Sequence, residues 1–81
     1  MASGTIQAYA PVTISVTDTT TSSGAFPIPT AVQNGKFVSA YVSGAASLIF
    51  RRDYSYFTIK DASTLQPRAS ESLTVVITYI P

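Results

Sequence analysis

The chain has 81 residues, a formal net charge of +1, 46% hydrophobic and 11% charged residues, and neither Cys nor His. Disulfide, thiolate and imidazole chemistry and the common zinc and haem sites are thereby excluded. The charge is too small and too dispersed for a phosphate-backbone footprint, so nucleic acid is not an expected partner.

A single domain over residues 1–81 is expected, burying only about 60–65% of the surface its unfolded form exposes. With no disulfide and no metal ligand set, association with further copies is the staple left to so small a chain. The start, MASGTIQAYA, lacks a basic region followed by an apolar stretch, and no apolar run reaches roughly 18 residues, so neither a signal peptide nor a membrane span is expected. Met1–Gly4 reads equally as a native start or as added residues.

Alternation of apolar and polar residues with period two runs along the chain, and helical periodicity is missing. Residues 5–10 and 12–17 read as strands broken at Pro11, with Val12, Ile14 and Val16 on one side. Asp18–Gly24 (DTTTSSG) reads as a polar, mobile loop. Phe26–Pro29 (FPIP) is extended, because each Pro fixes its own φ and biases the residue before it. Asn34-Gly35 predicts a type I′ turn joining a strand at 30–33 to one at 36–43. SGAAS around Gly44 predicts a second turn, followed by strands at 47–51 and 54–60. Asp61, in DASTLQPRAS, is placed to cap one helical turn ahead of Pro67. In ESLTVVITYIP, Leu73, Val75, Ile77 and Tyr79 form one apolar face, and the length of this segment predicts a central strand. Six or seven short strands with turn signals between them predict an all-β fold: a small antiparallel β-sandwich, jelly-roll-like or barrel-like.

Register follows from loop length. A two-residue loop at Gly44-Ala45 and a turn centred on Arg52-Asp53 put Phe37, Tyr41, Leu48, Phe50, Phe57 and Ile59 on one face, the expected core. The other face then carries Val38, Ala40, Val42, Ile49, Arg51, Tyr54 and Tyr56. Its small apolar members, Val38, Ala40, Val42 and Ile49, suit close sheet contact and are the expected subunit interface. Arg51, Tyr54 and Tyr56 are the expected ligand group, since Tyr offers flat apolar area with a hydroxyl and Arg offers fixed donors. The plainer alternative is that the Tyr rings shield the sheet with Arg51 stacked on one of them. Arg52 beside Asp53 reads as a solvated ion pair.

Catalysis is not expected, and neither is a metal or other cofactor. Asp18, Asp53, Asp61 and Glu71 are far apart in sequence, and Asp53 and Asp61 occupy turn positions where Asp serves the backbone. A two-carboxylate hydrolase is a distant third option. The glycines form no phosphate-binding loop, and no acidic cluster suits calcium.

The second half, NGKFVSAYVSGAASLIFRRDYSYFTIKD followed by ESLTVVITYIP, combines an NG turn, alternating small and aromatic residues, and a strand at the end. In this it resembles small β-domains of bacteriophage tail fibres, head fibres and related virion appendages. The resemblance implies a homo-oligomer, a trimer, located in the virion, that builds the particle or binds a host-surface glycan or protein. The alternative is a free-standing carbohydrate-binding or adhesin module of the bacterial cytoplasm or cell surface.

Overall fold

The computed structural model describes residues 10–81 and is all-β. The strand expected at 5–10 falls, but for its last residue, outside these residues; Ala10 and Pro11 lead into β1 (Val12–Thr19) without joining it. The other strands are β2 (Ala25–Pro27), β3 (Lys36–Ser43), β4 (Ser47–Arg51), β5 (Tyr56–Asp61) and β6 (Ser72–Ile80), with one short helix, α1 (Thr30–Asn34). They form two three-stranded antiparallel sheets, ordered β1-β6-β3 and β2-β5-β4.

β6 is the central strand of its sheet, as its length and alternation predict. Leu73, Val75, Ile77 and Tyr79 are all buried, while the residues between them are half-buried on the outer face. Phe26, Phe57 and Ile59 come from the second sheet and join the same hydrophobic cluster, which Val32, Ile28 and Val42 complete. Side chains as fully buried as Phe57, Ile59 and Ile77 contribute about 1.5–3 kcal/mol each. On the outer face of the first sheet, Thr13 shares a hydrogen bond with Thr78 at 3.0 Å and Thr17 with Thr74 at 2.8 Å.

Three expectations are corrected. First, Thr30–Gln33 is not a strand, and Asn34-Gly35 is not a hairpin turn. Pro29 opens a single helical turn in which the Val32 and Gln33 N–H groups both donate to the Pro29 carbonyl at 3.0 Å. Val32 anchors that turn at 1% exposure. Burial of one Val thus overrides the weak strand preference of a four-residue segment. Gly35 is extended (φ −103°), and its role is close approach. A Cβ there would lie 2.5 Å from the Ile80 carbonyl oxygen.

Second, β3 and β4 do not pair. β3 pairs with β6 (Ala40 with Ile77, Val42 with Val75), and the chain crosses at Gly44 (φ 80°) to the other sheet. Val42 is therefore a core residue at 8% exposure. Ala40 and Ile49 pack partly buried against the core from the two different sheets. Of the four residues expected to share one outward face, only Val38 is outward, 50% exposed beside a bulge between Phe37 and Ser39. Conversely Tyr41, Leu48 and Phe50, assigned to the core, are exposed.

Third, Asp18–Gly24 is not simply a polar loop. Asp18 and Thr19 end β1, and Thr20 is buried at 3% exposure. Its hydroxyl donates to the Arg68 carbonyl at 2.5 Å and accepts from the Glu71 N–H at 2.9 Å. This side chain stitches the end of β1 to the segment that enters β6.

Two variants check this account by urea denaturation. Thr20→Val keeps the shape but leaves the Arg68 carbonyl and the Glu71 N–H without this partner, and is expected to lower stability by about 1–3 kcal/mol. Gly35→Ala is expected to cost about 1–3 kcal/mol by forcing backbone apart; an unchanged urea midpoint would contradict the close-approach explanation.

Candidate functional site

The segment Arg52–Ser55 decides what the β4–β5 hairpin displays. One Asp53 carboxylate oxygen accepts hydrogen bonds from the Ser55 N–H (2.8 Å), the Ser55 hydroxyl (2.8 Å) and the Tyr56 N–H (2.9 Å). Asp53 thus opens the turn instead of sitting at its centre, and the Arg52 N–H donates to the Tyr56 carbonyl at 3.0 Å. Arg51 lies opposite Phe57, not Tyr54, so five residues, an odd number, separate the last paired positions. An odd shift exchanges the two faces of one strand relative to the other.

Ile49 and Arg51 consequently lie on the core side with Ile59 and Phe57, while Leu48 and Phe50 lie on the outward side with Lys60 and Thr58. Two cation–aromatic pairs occupy this outward face. The Lys60 ammonium stands 5.6 Å from the Phe50 ring centroid. The Arg52 guanidinium stands 4.9 Å from that of Tyr56. Each such pair at an exposed position is worth about 0.5–1 kcal/mol. Arg52 also meets Asp53 at 3.5 Å, both side chains about half exposed, a pair worth roughly 0–1 kcal/mol.

The expected ligand trio is thus divided. Tyr56 is half-buried on the outward face beneath Arg52. Tyr54 stands 70% exposed at the loop tip. Arg51 is on the other side, its guanidinium 5.6 Å from the Phe37 ring, which itself packs on Phe57 at 5.5 Å. Arg51 thereby covers the rim of the core, stacked on Phe37 and not on a Tyr ring as the plainer reading has it; the cation over a Tyr ring is Arg52. Sequence reasoning missed Phe50, Arg52 and Lys60. The signal that finds them is Asp-x-Ser. The same arrangement recurs at Asp61-Ala62-Ser63, where the Asp61 carboxylate accepts from the Ser63 N–H (2.8 Å), the Ser63 hydroxyl (2.6 Å) and the Thr64 N–H (3.1 Å). In both, Asp is the first residue of the turn.

A second polar cluster surrounds Arg68, in the connection between β5 and β6. Arg68 bonds Ser47 Oγ at 2.6 Å and the Ala46 carbonyl at 3.0 Å, and pairs with Asp61 (3.1 Å) and Glu71 (3.5 Å). A shallow depression of about 330 Å³ lies over Asp61, Gln66, Arg68 and Glu71. Every charged group in it is already paired within the chain, so the cluster reads as a clamp holding the connection against the start of β4.

No protein-family model, curated protein or solved structure matches the chain. The functional reading therefore rests on these side chains.

Both turn carboxylates are stabilised in their charged form. The Ser63 hydroxyl, then the Ser63 and Thr64 N–H groups and Arg68, hold Asp61 at about 2, against an ordinary value of 3.8. The Ser55 hydroxyl and N–H, then the Tyr56 N–H and Arg52, hold Asp53 below the same ordinary value. A lowered folded pKa contributes stability that is complete above the unfolded value and lost on acidification. The urea midpoint is therefore expected to fall between about pH 4 and pH 2, and to do so less steeply in Asp61→Asn. A carboxyl NMR titration placing Asp61 near 4 would contradict the turn geometry.

Proposed function

We propose that the protein is a non-enzymatic recognition domain that binds a surface glycan through the outward face of the β4–β5 hairpin. We further propose that it works as a homo-oligomer, of three copies as the phage-appendage resemblance implies, in a virion appendage. The observation that carries the glycan reading is the group of Phe50 and Arg52, exposed, and Tyr56 and Lys60, half-buried, on one sheet face. Aromatic area beside fixed donors is the combination that suits a sugar ring and its substituents.

A non-catalytic role is supported by the use made of the acids. Asp53 and Asp61 are committed to their own turns, and their pKa values move away from neutrality, where general acid–base work is done. Association between copies is supported by Val38, Tyr41, Leu48, Phe50 and Leu65, all large apolar side chains at least 38% exposed, on a chain with few charges to keep such surfaces apart.

Glycan-array binding tests the first part. Native protein is expected to give discrete signals that Phe50→Ala and Tyr56→Ala each weaken by about five- to thirty-fold, the loss of about 1–2 kcal/mol; a blank array for folded protein would remove the reading. Light scattering tests the second. A mass that is a multiple of 8.6 kDa is expected at micromolar concentration, and a monomer would favour the free-standing binding module.

A further inference from the structure

We infer that the glycan held by the β4–β5 hairpin is acidic: a polysaccharide bearing carboxylate, sulfate or phosphate groups, bound by Arg52 and Lys60. This rests on the glycan reading and specifies its ligand class.

The first argument is where the chain's charges go. It has four acidic residues. Asp61 and Glu71 both pair with Arg68. One oxygen of Asp18 accepts from the Thr19 N–H at 2.7 Å on the other sheet. Asp53 commits one oxygen to three hydrogen bonds of its turn, and its other oxygen meets Arg52 at 3.5 Å in a solvent-exposed pair that leaves the guanidinium half exposed. Lys60 and Arg51 have no carboxylate partner among the described residues, and residues 1–9 contain no Asp or Glu. From Ser47 to Asp61 the hairpin carries Arg51, Arg52 and Lys60 against Asp53 and Asp61, three positive charges less two negative, or +1, and Asp61, at its far end, is turned to Arg68.

The second argument is geometric. Each ring of the site has a cation beside it: Phe50 has Lys60 and Tyr56 has Arg52. A neutral sugar stacking on the exposed part of either ring gains apolar contact but leaves the two charges without a counterpart. A single-stranded nucleic acid needs a positively charged groove that tracks its backbone as well as stacking rings, and a chain of net charge +1 is poorly supplied for one. An acidic sugar leaves both cations in place and adds charge-assisted hydrogen bonds to them. Phe50 and Tyr56 are diagonal neighbours on the outward face, since Phe50 pairs with Thr58, two residues beyond Tyr56, so the two cation–aromatic pairs lie on one face.

The test is an NMR titration of folded protein with four probes: oligogalacturonate, heparin oligosaccharide, dextran and oligothymidylate. The acidic oligosaccharides are expected to bind at least about ten-fold more tightly than dextran, with shifts centred on residues 48–60. The Arg52→Gln/Lys60→Gln double variant is expected to lose about ten-fold or more. Arg51→Gln on the core side and Lys36→Gln at the start of β3 are expected to change affinity less than about two-fold. All these residues are exposed or half-buried, and the native spectrum of each variant checks its fold. Dextran binding equally well would overturn the acidic ligand while leaving the glycan reading standing. Binding of none of the four would remove both. Tighter binding of oligothymidylate, or an equal loss in Lys36→Gln, would overturn the inference in favour of nucleic acid or of general charge attraction.

Discussion

The inward row of β6 is the constraint on which the rest of the molecule depends. Leu73, Val75, Ile77 and Tyr79 are the apolar side chains that β1 and β3 flank and that Phe26, Phe57 and Ile59 cover from the second sheet. With no cysteine in the chain, no disulfide holds the sheets together, and their association rests on this shared apolar burial. Every strand must then place its apolar alternate residues towards β6. That requirement separates β3 from β4, because each supplies inward residues from a different sheet: Ala40 and Val42 from one, Ile49 from the other.

The ends of the core are closed by polar side chains acting on backbone. Thr20 joins the end of β1 to the Arg68–Glu71 segment, and Arg68 ties that segment to Ala46 and Ser47 ahead of and within β4. The Asp53 and Asp61 carboxylates organise the turns at the two ends of β5. In a small domain such local bonds carry a large share of the order, since net stability is a narrow difference between burial and chain entropy. They also account for three of the four acidic residues, with Glu71 paired to Arg68. Lys60 is thereby left without a carboxylate partner among the described residues, on the outward face that it shares with Arg52.

The site shows how a local device decides which side chains a sheet displays. The three hydrogen bonds to Asp53 hold a turn with five residues between the paired Arg51 and Phe57, and that odd number sends Phe50 and Lys60 outward and Ile49 and Arg51 inward. A two-residue turn would display Arg51 and bury Phe50. The segment IFRRDYSYF is therefore both a core element and a surface one, with Phe57 fully buried and Phe50 half exposed.

The residues of the chain by themselves determine the all-β class, the central position and inward row of β6, the extended FPIP segment and the turn-capping roles of Asp53 and Asp61. Each of these follows from alternation, proline geometry or side-chain-to-backbone bonding within a few residues. Only the tertiary structure decides which strands pair, and hence which face each side chain occupies. Pairing is a contest between distant segments: β3 gains more from seven positions beside β6 than from a hairpin with its neighbour. For the same reason Val32 becomes an anchor in a helical turn, Val42 moves from expected interface to core, and Arg52 and Lys60 replace Arg51 on the outward face. Period two states that a strand has two faces; only burial against a partner states which one is inside.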